Sequence, residues 1–303
     1  MFRLFALLCL AAPVFSLFGS KYEKGFKVRY DVNPLSGLLG TAFMDLPQSK
    51  DSAAKMGWKQ TPKPDLHTEF ASLELWCPQC NNVCVLFDDT GYVAGLLIAF
   101  NMNQYSDALY NWTIQGFKNW ITKDKSGNSA EYKYTAIYFS SPEYLKTSAE
   151  ARIASRNPET LLQDKYIYVS GINGKLHPIS TDVTQIDNTA LSNFTLQACM
   201  PSMGDHYYYQ MTKELECNDE LFPFFPLTFA GRLVGMGFVS FGKYETEKGC
   251  TNYFEKPSST AVKIIVPRGP DCLYELANSP GVITMHTYFI KKPSDMFCLP
   301  KLW

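Results

Sequence analysis

The cysteines constrain this chain more than any other feature. Nine occur among 303 residues, and Cys77, Cys80 and Cys84 crowd into one short apolar stretch. Cys9 sits apart, inside a segment that reads as a secretory signal peptide. Arg3 gives a positive start, residues 4–12 an apolar core, and Val14-Phe15-Ser16 a small-residue exit. Cleavage after Ser16 leaves Cys77, Cys80, Cys84, Cys199, Cys217, Cys250, Cys272 and Cys298. An even set of thiols delivered to an oxidising compartment implies disulfides, most simply four, whose pairing stays open. Joining two of the clustered three leaves one over, so at least one bridge must run far along the chain.

Two sequons agree with export, Asn111-Trp112-Thr113 and Asn193-Phe194-Thr195, making Asn111 and Asn193 candidate glycosylation sites. The leader's apolar core is too short to cross a bilayer. No later segment approaches the roughly 20 apolar residues of a membrane helix, so no transmembrane segment is expected. The ending Pro300-Lys301-Leu302-Trp303 carries neither a retention signal nor a lipid-anchor tail. The expectation is a secreted, extracellular glycoprotein. With a formal net charge of −1 and no Lys/Arg run, nucleic acid and anionic membrane are not expected as partners.

Residues 73–100, LELWCPQCNNVCVLFDDTGYVAGLLIAF, hold the cysteine cluster and two fragments with catalytic look-alikes. A Cys-x-x-Cys oxidoreductase places its first thiol at a helix N-terminus, where the dipole lowers its pKa. Here Cys80 is followed by Asn81-Asn82 and a third cysteine in a strand pattern, so structural disulfides are the better reading. Zinc would need a fourth ligand, and export favours oxidation. An aspartic protease needs two Asp-Thr/Ser-Gly loops sharing a proton. Asp89-Thr90-Gly91 is the lone copy and reads as a tight turn. Gly-x-Ser-x-Gly, His-Glu-x-x-His, phosphate-loop and EF-hand patterns are absent from the sequence.

The pattern along the chain is mainly β. Residues 17–66, rich in Gly, Pro, Ser and Lys, read as an extended N-terminal arm with one strand candidate at Phe26-Lys27-Val28-Arg29-Tyr30. Residues 83–87 and 92–100 are apolar at both parities, as in strands covered on both faces. Residues 111–120 and 131–139 follow as strand candidates. Ser141-Pro142-Glu143 starts a short helical insertion over 141–163, with a second start at Asn157-Pro158-Glu159. Asn173-Gly174 marks a hairpin between 166–172 and 175–179. Strand candidates then fall at 194–199, 206–211, 227–229, 233–241, 261–266 and 282–290. The expectation is a mainly β fold, sandwich-like or open-barrel antiparallel sheets, cross-linked by disulfides. Residues 67–303 would form a single domain behind the signal peptide (1–16) and the arm.

Only four histidines are present. His67 and His177 lie beside loop or proline positions and read as surface residues. His206 sits in a polar, tyrosine-rich run beginning at Asp205, and His286 sits in Thr284-Met285-His286-Thr287-Tyr288. Strand alternation puts His206 and Tyr208 on one face, with Asp205, Tyr207 and Tyr209 on the other. It likewise groups Thr284, His286 and Tyr288. If His206 and His286 meet across neighbouring strands, with Tyr208 or Tyr288 beside them and Asp205 swung back by a turn at Gly204, they form a candidate ligand or metal site. Tyr132, Tyr134 and Tyr138 share another face, where exposed rings would suit sugars or peptides and buried rings ordinary packing.

No catalytic set stands out. The leading expectation is a secreted binding or effector protein, of the kind found in secretions, venoms or matrix. Its partner would be an extracellular protein, glycan or small molecule, with no cofactor. The alternative is a metal-dependent extracellular enzyme using His206 and His286 with copper or zinc.

Overall fold

The computed structural model describes residues 22–298 except Asp219. The expected signal peptide lies outside the described residues. Two antiparallel sheets face each other. The first, here the histidine sheet, runs Phe194–Met200, Gly204–Tyr209, Phe224–Phe229, Arg232–Phe241, Val282–Ile290, Lys24–Arg29, Phe43–Asp45. The second, the cysteine sheet, runs Leu176–Ser180, Tyr166–Ser170, Ser129–Tyr138, Val93–Asn101, Val83–Phe87, Glu74–Cys77, Lys59–Gln60, with Lys118–Lys123 also pairing to Ser129–Tyr138.

Strand alternation builds the core between them. Val83, Val85 and Phe87 point inward beside Leu96, Ile98 and Phe100; from the histidine sheet come Phe26, Val28, Phe238, Met285 and Phe289. Aromatic edges lock the sheets together, with Phe139 contacting Phe26 at 5.5 Å and Phe289 at 5.3 Å. The outer faces are covered as well. Cys84, Leu86, Leu97 and Ala99 lie under Leu66, Phe70 and Leu73, which explains strands buried at both parities. The face bearing Tyr132, Tyr134 and Tyr138 is buried in that same layer, with Phe70 stacked on Tyr138 at 3.8 Å, so it offers no open platform.

Local signals explain most turns. Asp88 Oδ1 accepts from the Thr90 and Tyr92 amides, and Gly91 takes φ 75°, closing the expected turn between the central strands. Asn173 and Gly174 both adopt positive φ at the expected hairpin. The disulfides are Cys77–Cys84, Cys80–Cys250, Cys199–Cys298 and Cys217–Cys272. One local bridge and three longer ones make up the four disulfides expected, including the long bridge that the clustered cysteines required.

Three sequence expectations need correction. Residues 261–266 were expected as strand from their β-branched run, but Ser259–Ile265 is helical. Ser258 caps it by accepting from the Ala261 amide at 3.2 Å, and Val262 turns inward. Residues 111–116 form a turn fixed by Asn111, whose side chain accepts from Thr113 and Ile114; the strand starts only at Lys118. The helical insertion holds Pro142–Lys146 and Ala149–Ser155, whereas 157–163 folds into a turn closed by Gln163 on Asn157. Segment 17–66 contributes, within its described residues, two strands of the histidine sheet and the edge strand Lys59–Gln60 of the other.

Candidate functional site

The outer face of the histidine sheet carries the candidate site. Strand Lys24–Arg29 pairs with Val282–Ile290 and ends where Arg29 lies opposite His286. Beyond that point the ladder slot beside Val282–Ile290 is open, and Glu255 fills it. The Glu255 amide donates to the Thr284 carbonyl at 2.8 Å, and the Thr284 amide returns a bond at 2.9 Å. Arg29 and Glu255 thereby become successive partners in one column beside His286 and Thr284. Side chains of cross-strand partners share a face. Three residues far apart in sequence are thus forced together by ladder register.

Their contacts are close. Glu255 accepts from His286 Nδ1 on one oxygen and lies 3.1 Å from Arg29 Nε through the other. Arg29 also donates to the Asp31 carbonyl at 2.9 Å and to Ser202 Oγ at 3.2 Å. Arg29, Glu255 and His286 are each 2–3% exposed, so this is a buried, charge-balanced set. Such a group is tolerated only when paired and hydrogen-bonded. With Nδ1–H committed to the carboxylate, His286 leaves Nε2 without a partner, and Thr284 Oγ1 is also buried and unpartnered.

His206 does reach His286, with ring centroids 5.6 Å apart at 77°. The strands are not neighbours, however, as the sequence reading supposed. Phe224–Phe229 and Arg232–Phe241 lie between them. Adjacent strands sit about 4.8 Å apart, so the gap is about 14 Å at the backbone. Gly237 makes the meeting possible. A Cβ there would fall 1.9 Å from the Phe225 ring. Phe225 instead lies over the glycine, within 5.8 Å of His206 and 5.4 Å of His286, and bridges the trough. Tyr208 stacks on Phe225 at 4.5 Å, while Asp205 sits on the opposite face from His206 as alternation requires.

Burial governs the electrostatics. His206 Nδ1–H points to the Gly204 carbonyl at 3.1 Å, and the residue is wholly buried. Burial, reinforced by His286, pulls its pKa down to about 3. Tyr208 and Tyr288 are pushed well above the usual phenol range by burial; the Glu255 charge adds to this for Tyr208, and Arg29 opposes it for Tyr288. His67 and His177, expected at the surface, are half-buried and also lowered by desolvation. His67 meets Ser170 Oγ at 3.2 Å, and His177 packs on Phe222 at 4.9 Å.

Above this floor lies a cavity of about 240 Å³. Val262 and Val266 from helix Ser259–Ile265 and its C-cap, with Leu273 from Asp271–Leu276, form one wall; Met203, Met211 and Phe241 complete the apolar lining. Arg29, Tyr208, Glu255, Thr284 and His286 supply the polar edge. At the mouth, Val32, Leu38 and Ile264 are exposed. Disulfides frame the region. Cys217–Cys272 ties a loop to the wall helix, and Cys80–Cys250 ties the loop before Glu255 to the cysteine sheet. Asn82 reinforces that second tether by donating to the Thr251 carbonyl at 3.0 Å.

Sequence reasoning found His206, His286, Tyr208 and Tyr288 but missed Arg29, Glu255 and the cavity. Arg29 stood inside a recognised strand candidate, and Glu255 carried no local signal. Among the described residues no three His, Cys, Asp or Glu side chains converge as a metal set. The sequon residues Asn111 and Asn193 are both exposed. No family model matches the chain, and no curated protein or solved structure is significantly similar to it.

Proposed function

We propose that this is a secreted binding protein whose ligand is a small, largely apolar molecule. The observation that carries the reading is the cavity, lined mostly by apolar side chains with a short polar edge, a composition typical of small-molecule sites. Four disulfides suit a rigid extracellular carrier, and the described residues contain no helix long and apolar enough to cross a membrane. The exposed sequon asparagines and the signal-like leader point the same way. Titration with Prodan, a neutral environment-sensitive fluorophore, tests this. Saturable binding is expected, weakened about tenfold or more by Leu38→Trp at the mouth and by Val266→Phe in the wall. Absence of saturable binding, or equal binding by both filled variants, overturns it.

A second reading keeps the metal-dependent enzyme. It is favoured by one observation: two adjacent buried imidazoles, His206 and His286, each with Nε2 unpartnered. Imidazole suits copper and zinc, but two histidines make a sparse donor set. Metal content measured on protein purified from its native secretion tests this. A stoichiometric ion lost in both His206→Ala and His286→Ala supports the reading, and substoichiometric metal unchanged by either substitution ends it.

A further inference from the structure

We infer that the ligand carries a neutral hydroxyl, which donates to His286 Nε2 and accepts from Thr284 Oγ1. This rests on the binding reading above and specifies the head group that the same cavity selects. Two buried polar atoms, His286 Nε2 and Thr284 Oγ1, stand without partners on residues at the polar edge of a largely apolar cavity. Both atoms are already closed off from solvent, so no water satisfies them, and a ligand group that reaches them gains roughly tenfold or more over one that leaves them unsatisfied. The ligand must therefore bring its own partner for them.

Charge narrows the choice. Arg29 already balances Glu255, and its other nitrogens are engaged by Ser202 Oγ and the Asn33 carbonyl. A ligand carboxylate would face the Glu255 carboxylate with no free cation to meet it. An ammonium would add a second buried positive charge beside Arg29. A neutral group avoids both costs. Hydrogen-bond sense narrows it further. With the Nδ1 proton held by Glu255, Nε2 of the neutral imidazole accepts and calls for a donor. Thr284 shares that face two residues away, about 7 Å along the strand between Cα atoms. A single oxygen that both donates and accepts can serve both atoms, which an ether, ester or hydrocarbon cannot do.

Competition against bound Prodan by a matched series reads this directly: 1-decanol, its methyl ether and decanoate. On the native chain, 1-decanol should compete about tenfold or more better than either analogue. The ratio of alcohol to ether, taken within each variant, should fall to near unity in His286→Phe and drop several-fold in the near-isosteric Thr284→Val. Equal competition by alcohol and ether while Prodan still binds overturns the hydroxyl inference and leaves the binding protein standing. So does an unchanged ratio in Thr284→Val, the milder substitution should His286→Phe not fold. Failure of Prodan itself to bind overturns the binding reading instead.

Discussion

Arg29 and Arg152 are equally hidden, each with a side chain 2% exposed, yet their surroundings differ in kind. Arg29 meets a carboxylate that is itself buried, and that carboxylate is shared with a histidine lining a cavity. Arg152 pairs closely with Asp89, whose side chain is 67% exposed, and reaches the buried Asp88 only at 3.8 Å. It donates to the Leu145 carbonyl at 2.8 Å, and its neighbour Arg156 lies 4.1 Å over the Tyr92 ring. The second cluster clamps the helical insertion onto the Asp88–Gly91 turn and does not line the cavity above the histidine sheet. The same ionic chemistry serves as a fastener at one end and as the floor of a site at the other. Both depend on the stretch 73–100. Its turn supplies Asp88 and Asp89, and its Cys80 anchors the loop that leads to Glu255.

That anchoring gives the largest expected effect. Replacing Cys80 and Cys250 by alanine opens a bridge of sequence separation 170 and should cost about 5 kcal/mol on the loop-entropy relation. Cys77–Cys84, of separation 7, should cost about 2 kcal/mol by the same relation. Urea denaturation of the two double variants checks the order, and the long-bridge variant should also lose Prodan binding as Glu255 loosens. A reversed order would mean the cluster holds itself together without its tether.

Next in size is the carboxylate itself. Glu255→Leu leaves Arg29 charged and without its carboxylate in an apolar setting, an expected loss of about 3–5 kcal/mol in urea. A loss below about 1 kcal/mol, the scale of exposed pairs, would place the Arg29 cluster with the fastener.

A smaller effect follows from His206. Its pKa, about 3 when folded against an ordinary 6.5, is lowered by burial. The unfolded chain therefore takes up this proton first as pH falls. The stability from neutral His206 is complete above about pH 6.5 and is lost on descending toward about 3. The slope from this residue reaches about 1.4 kcal/mol per pH unit, and His67 and His177 act in the same sense. Chemical denaturation across that window should show a shallower dependence in His206→Leu, whatever that substitution does to stability at neutral pH.

The smallest effect belongs to the fastener. Asp89→Ala removes the exposed partner of Arg152 but leaves Asp88, and it should cost about 0–1 kcal/mol with ligand binding unchanged. A cost equal to that of Glu255→Leu would erase the distinction between the two arginines.

Legibility followed the range of the signal. Turn chemistry at Asp88–Gly91 and Asn173–Gly174 is local, and it folds as read. Alternation correctly grouped His206 with Tyr208 and Thr284 with His286, because side-chain direction along a strand depends only on parity. The helix Ser259–Ile265 was missed because Ala261-Val262 and Ile264-Ile265-Val266 resemble a strand. Ser258, which caps the helix by accepting from the Ala261 amide, is the local signal for it. Glu255 was illegible, since a single glutamate in a loop shows nothing until the ladder slot it fills is known.

By itself the sequence determined the β class, the covered central strands and the presence of a disulfide framework, all consequences of short-range alternation and composition. Tertiary structure alone decided that Arg29, Glu255 and His286 share one column, that Phe225 over Gly237 brings the histidines together, and that two helices leave a cavity above them. Those outcomes depend on strand order and register, where a shift of one residue turns every side chain to the other face. The stretch 73–100, which first suggested chemistry of its own, positions a site that lies on the opposite sheet.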